Sequence, residues 1–443
     1  MLCYSIAMDP KIVVCSILLI AALGIAGCTE QQAHVDELKI GVVASMTGAA
    51  STTGKDIWQS AALAADEINA EGGVFVRDLG TQIPVRVILG DDESTREGGQ
   101  KAVSRLITEE KVDILVGGFS SAVVSAHQSI ATEHGVPYIV TGASSPIITH
   151  RTDVDTTNIF HHCPTTDDYG MQTTLFASDV IRPAINQKFG FSEERPLRLA
   201  LVYQDSPYGK GVQEAVMRTI ESENLPVIVV ADETFRMGET DFRTVLTSVK
   251  AAKPDVIYPA AFLNEQIPMV TQARRDVGLN AIFLAVECND DPDYYSGIGK
   301  FGEYSIIETR FSPYTVPKGE IQDSIEKFIT DFDTMWSGFP GMMGASTYEG
   351  VYIAAKAVED AGTLDKAKVR DALDALEMPE IIEYMKGGTI AFTPDFRETQ
   401  FRLYMEQLRW NETENGLRPV IVWPDDLAQD DFVLPDWFSP GES

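Results

Sequence analysis

Two runs of small, hydroxyl-bearing residues have the makings of an anion site without a basic side chain. They are Gly117-Gly-Phe-Ser-Ser121 and Gly142-Ala-Ser-Ser-Pro146. Asp113-Ile-Leu-Val116 reads as a short buried strand that breaks at paired glycines, and a helical pattern follows from Ala122 to about Glu133. Serine where an N-cap belongs leaves backbone N–H groups and the positive end of a helix facing a crevice, which suits a carboxylate or phosphate. Ser120, Ser121, Ser144 and Ser145 add neutral hydroxyls, and Gly142 and Ala143 let a ligand approach the backbone. No Lys or Arg lies between 117 and 146, so the expected anion is small and held by dipoles and hydrogen bonds. An ordinary capped strand–loop–helix would read the same way.

One acid stands apart. Glu287 directly follows the apolar run Ile282-Phe-Leu-Ala-Val286, which puts it at the carboxyl end of a strand in the second half of the chain. A carboxylate facing an amide-rich helix end suits a zwitterion, with its carboxylate near Ser121 and its ammonium near Glu287. A helix cap or surface ion pair is the plainer alternative. Tyr208 and Phe262 also fall just past strand ends, where they would cover a ligand's apolar part or simply pack one lobe on another.

Other chemistry finds little support. Gly297-Ile-Gly-Lys-Phe-Gly302 fits the spacing of a dinucleotide turn, but no apolar strand runs into it and a strand rather than a helix follows. His161-His162-Cys163 is adjacent rather than spaced, and no partner cluster accompanies it, so no metal is expected. The pairs Asp91-Asp92, Asp167-Asp168 and Asp290-Asp291 read as turns and caps. A hydrolase built on Ser121 would need a base, and His127 on the same helix is the one candidate. Neither an enzyme nor a cofactor is called for.

The elements that must position these residues alternate as strand and helix. Strands are expected at Leu38–Val43, Val85–Leu89, Asp113–Val116 and Val136–Val140, with helices between, one of them facing inward through Trp58, Ala61, Ala62, Ala65 and Ile68. The pattern loosens from Thr149 to Arg198. It resumes with strands at Arg198–Tyr203, Val227–Val230, Asp255–Pro259 and Ile282–Val286, separated by helices. Helices around 321–336, 348–361 and 366–375 and a β-rich end complete the chain. Such alternation implies α/β architecture, with parallel sheets covered on both faces and ligands at the strands' carboxyl ends.

At 443 residues two domains are expected. The formal charge of −31 excludes a general nucleic-acid binder and disfavours anionic lipid head groups. Five cysteines make no disulfide framework, and Cys163 and Cys288 are expected as thiols rather than a bridge. Residues 12–27 are apolar, short for a membrane span, and end Ile25-Ala26-Gly27-Cys28, like a lipoprotein signal whose cysteine becomes the acylated N-terminus. Met8 is an alternative start. Residues 28–37 read as a tether, and Asn411-Glu-Thr413 is a single glycosylation sequon.

Read together, the motifs resemble a family. Lys39-Ile-Gly-Val-Val with Thr47-Gly48 and Gly54, Glu67-Ile-Asn-Ala-Glu-Gly-Gly73, the Asp91 pair, the two serine runs, Tyr208-Gly-Lys-Gly211 and Gln272-Ala-Arg274 occur in order. Over about 38–424 the chain resembles type I extracytoplasmic solute-binding proteins, specifically the branched-chain amino-acid binding family of ABC transporters. The resemblance implies two Rossmann-like lobes joined by three crossovers, lobe 1 from 38–161 and 309–391, lobe 2 from 162–308 and 392–443. It places the ligand carboxylate on Ser121 with Ser120, the Ala143 backbone and Ser144, and the ammonium on Tyr208 and Glu287. Thr53 stands where relatives have an aromatic residue and Phe262 where they have tyrosine, both beside the ligand side chain. An ABC permease with a separate ATPase subunit is the implied partner, reached from a lipid anchor on the outer membrane face.

Overall fold

The computed structural model describes residues 36–285 and 289–441. The signal segment, Cys28, most of the tether, Glu287 and Cys288 lie outside them. From Glu37 onward the chain forms one compact unit. No helix of the described residues is long and apolar enough to cross a membrane.

The first sheet contains β1 (Leu38–Ala44), β2 (Val85–Asp91), β3 (Ile114–Gly117), β4 (Tyr138–Val140) and β5 (Ile159–His161), in the spatial order β2-β1-β3-β4-β5. Every pairing is parallel. Near-continuous apolar runs explain this, because a strand covered on both faces has no polar side to expose. Leu38, Ile40, Val42 and Val116 pack toward α1 (Ser51–Ala70) and a helix from the far end of the chain, Met342–Ala361. Val43, Leu115, Tyr138 and Val140 point the other way, toward α2 (Arg96–Thr108) and α3 (Ser121–Glu133). The buried face of α1 centres on Ile57, Ala61, Ala64, Ala65 and Ile68, with Trp58 and Ala62 at its half-buried margin, a shift from the sequence expectation.

The second sheet has seven strands: β6 (Leu197–Gln204), β7 (Val227–Phe235), β8 (Val256–Ala260), β9 (Ile282–Ala285), β10 (Ile306–Thr309), β11 (Tyr404–Asn411) and β12 (Gly416–Trp423). Their order is β12-β11-β10-β9-β8-β6-β7, parallel except for the antiparallel pairs at β11 and β12. Helices α4 (Thr166–Phe176), α5 (Arg182–Phe189), α6 (Pro207–Ser222), α7 (Arg243–Ala251), α8 (Leu263–Gln272) and α9 (Pro292–Ile298) belong with it. After β10, α10 (Gln322–Trp336), α11 (Met342–Ala361) and α12 (Lys366–Asp374) follow, α11 lying on α1. Small two-stranded ribbons occur at Val74–Val76 with Thr81–Ile83 and at Glu377–Pro379 with Thr389–Ala391.

The fold is therefore α/β with two mainly parallel sheets, and the chain passes between them three times. It leaves β5 for α4 near 162–165, leaves β10 near 310, and returns to β11 through 392–403. The first and third passages lie side by side: His161 N donates to Arg397 O at 2.7 Å and Thr399 N to His161 O at 3.0 Å.

Two departures from the sequence expectation have physical causes. The loosened stretch from Thr149 to Arg198 holds β5, α4 and α5; α4 buries Thr166, Gly170, Thr173 and Thr174 beside just Tyr169 and Phe176, which leaves little hydrophobic contrast along it. A Cβ on Gly170 would lie 2.5 Å from Ala215 Cβ, and one on Gly211 would lie 2.4 Å from Thr166 Oγ1, so α4 and α6 approach closely through small residues. Helix α11 also begins six residues earlier than its periodicity suggests. Asp56, from α1, accepts from Gly341 N at 2.9 Å and Gly344 N at 2.6 Å, and so caps it from a distant part of the sequence.

Candidate functional site

The first wall grows from the end of β3. Gly117 and Gly118 take φ of +101° and +84°, and a Cβ on Gly117 would meet Val43 O at 2.4 Å. Only glycine turns the chain there at low cost. Phe119 is then buried, and Ser120 occupies the N-cap of α3 in extended conformation. Contrary to expectation, the Ser120 side chain makes no capping bond. Ser121, the first residue of α3, instead accepts from Ser145 N at 3.1 Å. That bond uses the hydroxyl as acceptor, so its hydrogen is still able to donate to an anion at the helix end.

The β4 loop lies against this helix start. The Ala143 carbonyl meets His161 Nε2 at 2.7 Å. Ser144 O accepts from Thr166 N at 2.8 Å and so joins the loop to the first turn of α4. Ser120, Ser121, Ala143, Ser144 and Thr53 are all buried, Thr53 in the first turn of α1.

The second wall comes from the other sheet. Tyr208 sits in the first turn of α6, begun by Ser206, whose hydroxyl accepts from Gly209 N at 3.3 Å. Phe262 immediately precedes α8, with its N–H donating to Glu265 Oε2 at 2.9 Å. Its ring stacks on Tyr208 (centroids 5.7 Å apart, 22° between planes) and also meets Phe119 of the first wall (4.6 Å, 45°). Phe119 lies inside the first serine run, where an apolar side chain gives no chemical signal by itself. Asn264 Nδ2 adds a bond to Ala49 O at 2.8 Å. The structure thus brings Ser120, Ser121, Ala143 and Ser144 together on one wall and Tyr208 with Phe262 on the other. Glu287 lies outside the described residues.

His127 is no base for Ser121. It is fully buried, its ring stacked on Tyr138 at 5.9 Å and its Cδ2 2.6 Å from where a Gly99 Cβ would be. Burial pushes its pKa down to about 3.

The paired histidines correct a second expectation, since His162 does have distant partners. His162 Nε2 is 2.8 Å from Glu349 Oε2 and 3.8 Å from Glu383 Oε2, all fully buried where the chain passes between the sheets. Glu349 Oε1 accepts from Ile382 N and Glu383 N, and His162 Nδ1 meets Thr399 Oγ1 at 3.1 Å. These three side chains have metal-ligating types. Arg310 argues for a proton instead. Its Nε donates to Glu383 Oε1 at 2.8 Å, so one guanidinium already offsets one of the two carboxylates. Burial pushes Glu349 and Glu383 up to about 7 and His162 down to about 4. Asp290, expected as a turn or cap, joins a second buried group here: Tyr295 donates to it at 2.6 Å and Ser312 at 3.2 Å. Burial raises Asp290 to about 6 and Glu406 well above the carboxylate range.

A helix end with a hydroxyl hydrogen able to donate, opposite an aromatic wall, can hold a small carboxylate, and among the described residues it offers no nucleophile paired with a base. The sequence pattern of one family, the periplasmic binding proteins, runs through residues 37–414. The chain belongs to the periplasmic binding protein family. Like the family, which works outside the cytoplasm, it is a binding protein rather than an enzyme. It is 25% identical over 378 residues to an amino acid binding protein of Pseudomonas aeruginosa, covering 84% of this chain and 92% of that one. It is also 25% identical to that organism's leucine-, isoleucine-, valine-, threonine- and alanine-binding protein, over 81% of this chain and 87% of that one.

Solved periplasmic binding proteins share the fold. The Streptococcus pneumoniae branched-chain amino acid transporter substrate binding protein LivJ, in complex with isoleucine, superposes with a TM-score of 0.71 at 22% identity, over 88% of this chain and all of that one. A Rhodopseudomonas palustris solute binding protein in complex with 3,4-dihydroxybenzoic acid gives 0.70 at 19% identity, over 89% and 98%.

Proposed function

We propose that this periplasmic binding protein captures an amino acid or a similar small carboxylate between its two sheets and delivers it to the permease of an ABC transporter. The observation that carries this reading is the helix end at Ser121. Its hydroxyl and amides sit beside Ala143 and Ser144 and opposite the Tyr208–Phe262 pair of the other wall. The ligand carboxylate rests on Ser121, Ser120, the Ala143 N–H and Ser144; Tyr208 and Glu287 take the ammonium, and Thr53 and Phe262 border the side chain. Lobe 1 comprises 38–161 and 309–391 and lobe 2 comprises 162–308 and 392–443. Closure follows because a ligand gripped from both sides favours the closed form by its differential affinity. Cys28 carries a lipid that keeps the protein at the outer membrane face, beside a permease driven by a separate ATPase subunit.

A second reading has its own support. Phe119, Phe262 and Tyr208 form a continuous aromatic surface, and structural relatives hold 3,4-dihydroxybenzoic acid and benzoate. An aromatic acid would use the same helix end and leave Glu287 idle. Thermal-shift screening against the amino acids and hydroxybenzoates decides between them, since a ligand at a hundred times its Kd adds about 2.7 kcal/mol. The absence of a shift with every carboxylate overturns both.

A further inference from the structure

The start of α8 reaches in two directions. Phe262 sends its ring to Phe119 of the first wall, and Asn264 sends its amide to Ala49 O, on the same side. Glu265 turns back. Its carboxylate is 1% exposed and accepts from Phe262 N at 2.9 Å, from Gln204 Nε2 at 2.5 Å and from Gly238 N at 2.6 Å. Gln204 ends β6 and is fully buried, and its Oε1 accepts from Ser206 Oγ at 3.1 Å. Ser206 in turn caps α6, whose first turn carries Tyr208. One carboxylate thus ties the starts of α8 and α6, and the segment after β7, to the end of β6.

A helix cap needs much less. The third residue of a capped helix returns one bond to the N-cap N–H, as Asp168 does in α4 by accepting from Thr165 N at 3.0 Å. Glu265 takes two further donors from other elements. Burial raises its pKa, and the bonds from Gln204, Gly238 and Phe262 lower it. Oε2 accepts twice and Oε1 once, so both oxygens must be acceptors. A glutamine has only one such oxygen, and whichever way its amide turns, an N–H meets a donor.

We propose that Glu265 is a positioning residue of the solute site. It fixes the start of α8 so that Phe262 and Asn264 reach the first wall, and through Gln204 and Ser206 it holds Tyr208 in step with them. No contact between Glu265 and solute is required. The role rests on the proposed function only in taking the space between the walls as the solute's place.

Small-angle scattering of the ligand-free whole chain, with calorimetry on leucine and 4-hydroxybenzoate as probes, tests this. Glu265→Gln should give a larger radius of gyration than the parent. It should also weaken whichever probe the parent binds by about tenfold or more, since one buried donor is left facing another. Glu265→Asp keeps the charge and the bond to Phe262 N but is too short for all three donors, so it should open the molecule too. Full recovery in Glu265→Asp, in radius and in affinity, would reduce Glu265 to an ordinary cap and overturn the inference. Gln204→Met leaves that cap in place and serves where the Glu265 variants do not fold. It should shift both readings in the same direction, and parent values in it would overturn the inference as well. A parent that binds neither probe is judged on scattering alone: an unchanged radius in Glu265→Gln overturns this inference, whereas an enlarged one supports it and the failure of binding bears only on the proposed function.

Discussion

Phe119 and Phe262 meet ring to ring from opposite walls, with centroids 4.6 Å apart. Because Phe262 also stacks on Tyr208, one side chain links the start of α3 to the start of α6. The two halves therefore touch through a contact that belongs to the chain itself.

Phe262→Ala removes both ring contacts. Only the contact with Phe119 crosses between the walls, and such a pair is worth about 0.5–1.5 kcal/mol beyond buried area, so closure should weaken by about that much. Small-angle scattering without ligand should report a larger radius of gyration than the parent. An identical scattering curve would show that the ring does not hold the halves together.

Ser121→Ala should weaken carboxylate binding by about 1–3 kcal/mol, because a donor at the helix end is lost while the anion remains desolvated. Calorimetry with the best carboxylate from the screen checks this. An unchanged affinity would move the anion site away from α3.

Glu287→Ala separates the two solute classes. An amino acid should lose about 2–5 kcal/mol of affinity, the cost of leaving an enclosed ammonium without its partner. An aromatic acid should lose nothing measurable. Full retention of amino-acid binding would remove Glu287 from the site.

The buried group at His162 should make stability depend on pH. Glu349 and Glu383 are raised by burial to about 7 from an ordinary value of 4.5. Their neutral forms therefore favour the fold fully below pH 4.5, and that contribution fades as pH rises through about 7. His162, lowered to about 4, works the other way: its contribution is present above its ordinary 6.5 and lost as pH falls toward 4. Melting temperature should accordingly decline from pH 6 to pH 8. Glu383→Gln mimics the protonated side chain and should flatten that decline; the same slope in parent and variant would exclude Glu383 as its source.

Much of this was legible in the sequence, and the failures share a cause. β1, β3 and α3 could be read because strongly apolar strands end at paired glycines and feed a serine-led helix. The serine runs marked the Ser121 wall for the same local reason. α4 could not be read, since its contact with α6 runs through Gly170, Gly211 and threonines with little hydrophobic contrast. Nor could the group of His162, Arg310, Glu349 and Glu383, because polar residues that neutralise one another inside a fold look like surface residues in a sequence. The cap of α11 by Asp56 depends on a contact spanning 285 positions, beyond any local signal.

The threefold passage between the sheets also orders events in time. β1, β3 and α1 leave the ribosome early, yet the helix that roofs them, α11, is nearly three hundred residues behind β1. Until it arrives, α1 covers that greasy face of the first sheet only in part, and contacts so far apart along the chain form slowly. The earliest segment of the chain therefore reaches its final packing only once most of the remainder has been made.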